Sequence, residues 1–389
     1  MNPWDFRPLK DFCVEVEDRC ANRNFPVFSV SKNLGILPQA ERFKKRIASA
    51  DTSRYKVVYS GDFAFDPMLL WSGSISRHTS SVTGLVSPAY CVFRLIKGLN
   101  PRFLHLYLTH SDRLPFYDSI SFGTNERRRK AQFSDFAELE IPVPPFPEQE
   151  RIVKLLDEAD ELRKLRTQAD RRTADLIPSL FHEMFGENVK KPNVRVKLEQ
   201  IAEVVSGVAK GRKFNGRLPV EVPYLRVANV QAGHLDLSEI KTIQAMPEEV
   251  EELALRKGDV LLTEGGDFDK LGRGAMLEQD LPNCIHQNHV FRVRVEQSKL
   301  DPVYFAKFLL TGEARRYFLG CAKRTTNLAS INMTQLRTLP VLLPPLPLQK
   351  EFAAHVSNIR AMQAEQATSR RRLDDLFQSM LHRAFQGEL

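Results

Sequence analysis

The sequence predicts an α+β protein that uses one design twice. Two mixed α/β domains, at residues 1–146 and 192–346, alternate with two long helical segments, at 147–191 and 347–389. Three observations lead to this prediction: the chain matches itself at a shift of 200 residues, short β-type runs fill the α/β segments, and apolar residues recur at heptad spacing in the helical segments. The expected fold is therefore a pseudo-two-fold internal duplication.

The duplication is clearest where each α/β domain ends. Pro144-Pro145-Phe146-Pro147-Glu148-Gln149 matches Pro344-Pro345-Leu346-Pro347-Leu348-Gln349 without a gap. Earlier in the chain the match is looser, since Gly61-Asp62 falls on Gly258-Asp259 at a shift of 197. The two copies therefore share one design and differ by small insertions in their loops.

The α/β segments contain β-type runs that Gly, Pro and Asn interrupt. Examples are Tyr55–Tyr59 and Cys91–Ile96 in the first copy, and Val222–Val227 and His289–Val295 in the second. Short runs of this kind with turn residues between them are typical of strands in a mixed domain.

The helical segments are predicted to pair as an antiparallel intramolecular coiled coil. Each begins after a stiff proline-rich stretch and carries one apolar stripe flanked by charge, with Pro178 expected to kink the first helix. The alternative is that each helix packs on its own domain. A helix of about 38 residues spans about 57 Å at 1.5 Å per residue, and an antiparallel pair of this length would hold the two domains apart. The predicted seam consists of Ile152, Leu155, Ala159, Leu162, Leu176 and Leu180 in the first helix, and Phe352, Ile359, Met362, Leu373, Leu376 and Met380 in the second.

Charge and composition favour an anionic partner. The 56 Lys and Arg outnumber the 48 Asp and Glu, which gives a net charge of +8 and a pI near 9.2. No apolar run approaches membrane-spanning length, and the five cysteines are scattered without a CxxC pair. A cytoplasmic protein without disulfides is expected.

The whole chain resembles the specificity subunits of type I restriction-modification systems. The resemblance is carried by Ile141–Ile152, its equivalent at 341–352, Tyr224–Val230 and Lys257–Gly266. The first domain departs from the usual pattern, because Gly61-Asp62 is followed there by Phe63-Ala64-Phe65.

This resemblance implies a role in DNA recognition. One such chain reads a bipartite, asymmetric site in double-stranded DNA, with one half-site for each α/β domain. It binds two adenine-N6 methyltransferase subunits, which use S-adenosylmethionine, and two restriction subunits, which use ATP and Mg, can join the complex. The resemblance thus implies that this chain itself binds no cofactor and catalyses no reaction.

Motifs of the alternative classes are missing or incomplete. The sequence has no Asn/Asp-Pro-Pro-aromatic motif and no GxxxxGK[ST] phosphate loop, and Gly265–Gly274 is glycine-rich without the required Gly-Lys-Ser/Thr. Cys284-x-His286-xx-His289 has metal-ligand residue types, but strand alternation would turn His289 away from the other two, so no metal site is predicted. A self-sufficient methylating or restriction enzyme and a purely structural coiled-coil protein remain as alternatives.

Base contacts require exposed Arg, Lys, Asn or Gln side chains, and phosphate contacts require cations. Arg127-Arg128-Arg129-Lys130 is the sharpest basic run, with backbone phosphate or a partner subunit as its possible contact. Each candidate residue has the alternative of being an ordinary solvated charge. The candidates are Arg42, Lys44, Lys45, Arg46, Arg77 and His78 in the first domain, and Lys210, Arg212, Lys213, Asn215, Arg217, Lys270 and Arg273 in the second.

Overall fold

The computed structural model describes residues 4–43, 47–123, 129–186, 195–266, 271–324 and 329–389. The chain forms two compact units, the first made of residues 1–167 and 368–389 and the second of residues 168–367. Each unit therefore contains one α/β domain, the beginning of the helix that leaves it, and the end of the helix that leaves the other domain.

The α/β domain of the first unit is built on a four-stranded antiparallel sheet in the order β2-β9-β6-β7, with β1 and β10 paired beside it. Its described strands are β1 Phe6–Pro8, β2 Cys13–Glu15, β3 Phe28–Ser31, β4 Gly35–Pro38, β5 Lys56–Val58, β6 Phe63–Phe65, β7 Ile75–Arg77, β8 Gly84–Val86, β9 Cys91–Leu95 and β10 Glu140–Pro142. Its short helices are α1 Gln39–Arg42, α2 Pro101–Thr109, α3 Leu114–Ser119 and α4 Phe133–Phe136.

The first helical segment forms two helices, α5 Phe146–Ala174 and α6 Leu176–Phe185. The break between them lies at Asp175, close to the expected kink. Pro178 has no backbone N–H to donate to the carbonyl of Ala174, and its ring crowds that carbonyl, so the helix is interrupted at Asp175, three residues before the proline.

The α/β domain of the second unit repeats the same sheet in the order β12-β19-β15-β17, and β11 pairs with β22 as β1 does with β10. Its described strands are β11 Arg195–Lys197, β12 Ala202–Ser206, β13 Val220–Leu225, β14 Lys241–Ala245, β15 Val260–Thr263, β16 Gly265–Gly266, β17 Gly274–Met276, β18 Ile285–His286, β19 Val290–Val295, β20 Lys323–Arg324, β21 Ala329–Ser330 and β22 Pro340–Leu342. Its helices are α7 Pro247–Leu253, α8 Pro302–Phe308, α9 Gly312–Cys321, α10 Met333–Arg337 and, as the second long helix, α11 Leu346–Gln386.

The core of the first unit includes residues from both long helices. Ile152 and Leu156 of α5 and Leu381 of α11 are buried in one cluster with the sheet. The ring of Phe385 lies 5.4 Å from that of Phe103 and 5.1 Å from that of Tyr107, measured between centroids. The last turns of α11 are therefore part of the core of the first α/β domain.

The second unit has the reciprocal arrangement. Phe352 of α11 and Phe181 and Phe185 of α6 are buried against the same domain. The ring centroid of Tyr304 is 5.5 Å from that of Phe181 and 4.9 Å from that of Phe185. Burying such aromatic rings stabilises a fold by a few kcal/mol each, so each helix end is held firmly by the domain it reaches.

Within the first unit, α5 and the end of α11 are antiparallel. The guanidinium of Arg151 donates to the backbone oxygen of Leu389, and twelve residues further along α5 Arg163 pairs with Asp374, fifteen residues earlier in α11. In the second unit the side chain of Gln363 likewise donates to the backbone oxygen of Thr173, at 2.9 Å.

The structure corrects the predicted seam. In the predicted seam Leu155 follows Ile152 by three residues, whereas the next fully buried residue of the helix is Leu156, four residues after Ile152. Four predicted seam residues are consequently exposed, with relative exposures of 55% for Leu162, 40% for Leu176, 37% for Met362 and 54% for Leu376. The apolar heptad pattern predicted the wrong residues because polar side chains occupy the middle of the contact between the two long helices.

The other predicted seam residues are buried or half-buried. They are Ile152, Leu155, Ala159 and Leu180 in the first helical segment, and Phe352, Ile359, Leu373 and Met380 in the second. Among the described residues, no helix is both long enough and apolar enough to span a membrane. All five cysteines are free thiols.

Candidate nucleic-acid interface

A buried glutamine fixes the start of each long helix relative to its domain. Oε1 of Gln149 accepts from the backbone N–H of Asn100 at 2.7 Å, and Nε2 donates to the carbonyl of Pro144 at 2.9 Å. Oε1 of Gln349 accepts from the N–H of Asp301 at 2.9 Å, and its Nε2 donates to the carbonyl of Pro344 at 2.7 Å. The glutamine of the repeated Pro-Pro-x-Pro-x-Gln motif is therefore a structural residue that positions the domain on its helix.

A buried aspartate holds the equivalent turn in each domain. Both oxygens of Asp62 accept from Arg94, at 2.6 and 2.9 Å, and both oxygens of Asp259 accept from Arg294 at 2.8 Å. These hydrogen bonds raise the pKa of both guanidinium groups. The glycine before each aspartate has φ = +93°, a conformation that glycine adopts without strain. The repeated Gly-Asp pair thus sets the framework from which the variable loops extend.

The loop between β12 and β13 presents the candidate cations of the second domain. The guanidinium of Arg212 makes a two-pronged contact with Glu249 at 2.5 and 2.8 Å, and Arg217 pairs with Glu248. The contact with Arg212 lowers the pKa of Glu249. These two arginines tie the loop to the first turn of α7 and are therefore engaged within the protein.

Three other candidates on this loop point to solvent. Lys210, Lys213 and Asn215 are exposed, and Asn215 has φ = +46°. Asn is one of the few residues that tolerate this left-handed conformation, so the tight loop tip and its exposed side chains follow from the sequence. Lys210 and Lys213 carry the accessible positive charge of the loop.

The glycine-rich segment of the second domain forms β16 and β17. Arg273 just before β17 is half-buried and donates to Oε1 of Gln231 at 2.7 Å. Lys270 lies outside the described residues, as do Lys44, Lys45 and Arg46 of the first domain and Arg127 and Arg128 of the basic run.

In the first domain the candidate residues differ in their exposure to solvent. Arg42 is exposed and donates to the carbonyl of Val30 at 2.9 Å. His78 is fully buried, with Nε2 2.8 Å from the carbonyl oxygen of Val82. The predicted contact between His78 and DNA is therefore wrong, because the imidazole is buried against the ring of Phe28, 5.0 Å away between centroids. Arg77, its neighbour on β7, is half-buried.

The Cys284–His289 segment separates the residues that have metal-ligand side chains. Cys284 and His286 are buried, and His286 directs Nδ1 to the carbonyl of Val290 at 2.7 Å, whereas His289 is exposed and pairs with Glu264 at 2.5 Å. Within the described ranges, no three His, Cys, Asp or Glu side chains are grouped to hold a metal ion.

Sequence reasoning missed a charged cleft of about 390 Å³ in the first unit. It lies where β7, α2 and α5 meet, and a comparison of the two repeats could have found it, because its charged residues have no counterparts in the second copy. Its lining residues are Arg77, Thr79, Arg102, His105, Asp157, Glu161 and Lys164.

Two relatives that match most of this chain in sequence are specificity subunits of type I restriction enzymes. The specificity subunit of the type I restriction enzyme EcoKI from Escherichia coli (strain K12) is 26% identical over 355 residues, which cover 81% of this chain and 74% of the relative. The StySPI specificity subunit from Salmonella potsdam is 25% identical over 332 residues, 77% of this chain and 68% of the relative.

The fold is also that of a solved protein. The crystal structure of the HsdS subunit from Thermoanaerobacter tengcongensis superposes with a TM-score of 0.52 at 20% identity, covering 99% of this chain and 97% of that one. A family model for the type I restriction modification DNA specificity domain matches residues 1–170 and again residues 190–370. The chain therefore belongs to the family of type I restriction-modification DNA specificity proteins, and it carries two copies of the family's domain.

Proposed function

We propose that this chain recognises a bipartite, asymmetric site in double-stranded DNA, with each α/β domain reading one half. The long helices set the distance between the half-sites and bind two methyltransferase subunits, and two restriction subunits can join. The chain performs no catalysis. S-adenosylmethionine belongs to the methyltransferase partners, and ATP and Mg belong to the restriction partners.

One observation carries the proposal of two half-sites: the buried framework is duplicated while the exposed chemistry is not. Gln149 and Gln349 make equivalent hydrogen bonds, as do Asp62 and Asp259. The exposed Lys210–Arg217 loop of the second domain, in contrast, has no counterpart of the same sequence in the first. Two domains with one framework and different surface side chains are suited to reading two different sequences.

The proposed spacing role rests on helix length. α11 contains 41 residues and rises about 60 Å at 1.5 Å per residue. At 3.4 Å per base pair this gives an upper limit of roughly 18 base pairs for the separation of the half-sites. The number of unspecified base pairs between them should be smaller, because each domain covers several base pairs itself.

The exposed leucines of the long helices support the proposed docking of two equal partners. Leu162 and Leu376 each precede a residue of the helix contact in the first unit, so in an antiparallel pair they lie on the same side of it. Leu176 and Met362 are related in the same way in the second unit. Each unit therefore offers one exposed apolar pair, and two equivalent surfaces can bind two copies of one partner.

Sequencing of methylated DNA tests this function directly. Genomic adenine methylation would be mapped in cells with and without this chain, and we expect loss of one motif made of two short sequences around a fixed gap. Loss of a continuous motif, or no change in methylation, would contradict the proposal. Exchange of residues 192–346 for the same segment of a relative should alter one half-site and leave the other unchanged.

A biochemical assay separates this function from the alternatives. The purified chain, DNA and S-adenosylmethionine are combined with and without methyltransferase subunits from the same system. We expect methyl transfer only in the mixture that contains the methyltransferase subunits. Methyl transfer by the chain without them would indicate a self-sufficient enzyme. Absence of site-specific DNA binding even in the assembled complex would indicate a purely structural protein.

A further inference from the structure

The cleft between β7, α2 and α5 contains an arginine without a charged partner. No carboxylate within the described residues pairs with Arg77, and its buried Nε has no hydrogen-bond partner there. Its backbone N–H faces Nδ1 of His105 at 3.4 Å, which places α2 directly beside the end of β7. A half-buried guanidinium in this state is stabilised by any anion that enters the cleft.

The side chains that line the cleft carry a surplus of one positive charge, because the cations are Arg77, Arg102 and Lys164 and the carboxylates are Asp157 and Glu161. Arg102 is paired with Asp157 at 2.6 Å. Lys164 is paired with Asp160 at 2.9 Å and lies 4.0 Å from Glu161. Burial and the nearby guanidinium of Arg102 lower the pKa of Arg77, and burial together with Arg102 lowers the pKa of His105 to about 4. His105 is therefore a neutral hydrogen-bonding group at physiological pH, while Arg77 is a cation of the cleft with which no described carboxylate forms an ion pair.

The duplicated chain provides an internal comparison. Arg77 pairs with Phe63 in the sheet register, and the equivalent residue that pairs with Val260 is Met276. The positions of the other lining residues in the second copy are occupied by uncharged residues, apart from Glu278 in place of Thr79. They are Val303 for Arg102, Ala306 for His105, Ser357 for Asp157, Ala361 for Glu161 and Ala364 for Lys164. The fold itself does not need this polar group, because the second copy forms the same elements without it.

We propose that this cleft binds a backbone phosphate of the DNA, with Arg77 as the donor inside the cleft and Lys164 as the charge at its exposed edge. The inference rests on the proposed function and adds to it a phosphate contact that the first domain makes and the second lacks. Lys164 belongs to α5, so the contact would fix the DNA to the spacer helix as well as to the domain. A phosphate contact positions the duplex without reading its sequence.

The test measures binding of the full chain to a duplex of mixed sequence over a range of salt concentrations. Each phosphate contact contributes about 0.9 to the slope of log affinity against log salt. Arg77→Gln should lower that slope by about 0.9 and weaken binding about tenfold at low salt, and Arg77→Lys should restore the slope because it restores the charge. Lys164→Gln, at a side chain that is 66% exposed, tests the cleft without disturbing the core.

Arg7→Gln is the matched control, because it also removes one positive charge from the first unit, but from an exposed side chain that does not line the cleft. Unchanged slopes for both Arg77→Gln and Lys164→Gln would overturn the proposal. Equal losses for Arg7→Gln would assign the effect to net charge and overturn it as well. An Arg77→Gln variant that binds DNA normally but no longer assembles with methyltransferase would identify an acidic protein partner in place of phosphate.

Inorganic phosphate distinguishes a DNA phosphate from a free anion. We expect replacement of chloride by phosphate at equal ionic strength to compete weakly with DNA in the wild type and not at all in Arg77→Gln. Saturation of the cleft by phosphate without any change in DNA affinity would contradict a role in DNA binding. Failure of the wild-type chain and its complex to bind any DNA would instead refute the proposed function.

Discussion

Arg163 of α5 makes two contacts with α11 within the first unit: its Nε donates to Oδ1 of Asp374 at 2.7 Å, and its guanidinium lies 4.4 Å from the ring centroid of Phe377. The ion pair is partly exposed, with 29% of the Arg163 side chain accessible, so salt screens part of its effect. The contact with the aromatic face and the packing of the arginine stem add to it.

Replacement of Arg163 by alanine should therefore lower the free energy of unfolding by about 1–2 kcal/mol. Thermal denaturation of the full chain measures the effect. Lys164→Ala is the matched control, since its side chain is 66% exposed on the same helix and contacts acidic residues of α5. Equal stability of the two variants would show that the contact with α11 contributes little.

The two buried glutamines predict a pair of equal effects. Gln149→Ala would leave the N–H of Asn100 and the carbonyl of Pro144 without their partner, and Gln349→Ala would do the same in the second unit. Each change should cost about 1–3 kcal/mol, the usual penalty for an unsatisfied buried group. Urea unfolding measures both, with exposed Glu150→Ala as the control. A loss in one unit alone would contradict the equivalence of the two copies.

Buried His286 predicts a loss of stability in acid. Burial lowers its pKa from 6.5 to about 4. Because the unfolded chain takes up the proton first, the stabilising contribution of the neutral imidazole is complete above pH 6.5 and declines as the pH falls towards about 4. His286→Asn should reduce this decline, whereas His355→Asn, at an exposed position, should not. Urea unfolding at several pH values between these limits is the measurement, and identical pH profiles for wild type and His286→Asn would refute the assignment.

The exposed apolar pairs predict a change in stoichiometry. Leu162→Asp with Leu376→Asp should remove one docking surface, and native mass spectrometry should then detect one methyltransferase subunit per chain in place of two. Leu176→Asp with Met362→Asp should have the same effect at the other unit. Leu34→Asp, at a loop residue that is 64% exposed, controls for surface charge. Retention of both subunits by both double variants would exclude these surfaces as the docking sites.

The exposed loop of the second domain predicts a local effect on recognition. Lys210→Gln with Lys213→Gln removes its accessible charge, while Arg212 and Arg217 keep the loop attached to α7. We expect weaker binding or relaxed sequence preference at one half-site alone, seen when DNA duplexes with single substitutions in each half are compared. Equal weakening at both half-sites would show that these lysines contact phosphate outside the second half-site.

The two long helices begin inside the proline-rich motif, at Phe146 and at Leu346, and not after it as predicted. The sequence by itself determined the duplication, the two α/β domains and the break before Pro178. These features depend on local geometry or on comparison of the chain with itself. The burial of Ile152 and Phe352 was also predictable, because both are apolar and occupy equivalent positions in the two heptad patterns.

Only the tertiary structure decided which further residues form the contact between the long helices, where each helix end is buried, and which candidate cations are accessible. Arg163 and Gln363 occupy the helix contact because of partners far away in the chain, and Phe385 is buried by a domain that begins more than 300 residues earlier. His78 and Arg77 are neighbours in sequence, yet His78 is buried against the ring of Phe28 and Arg77 lies half-buried beside α2. Such outcomes depend on long-range packing, and a local pattern of residue types does not contain that information.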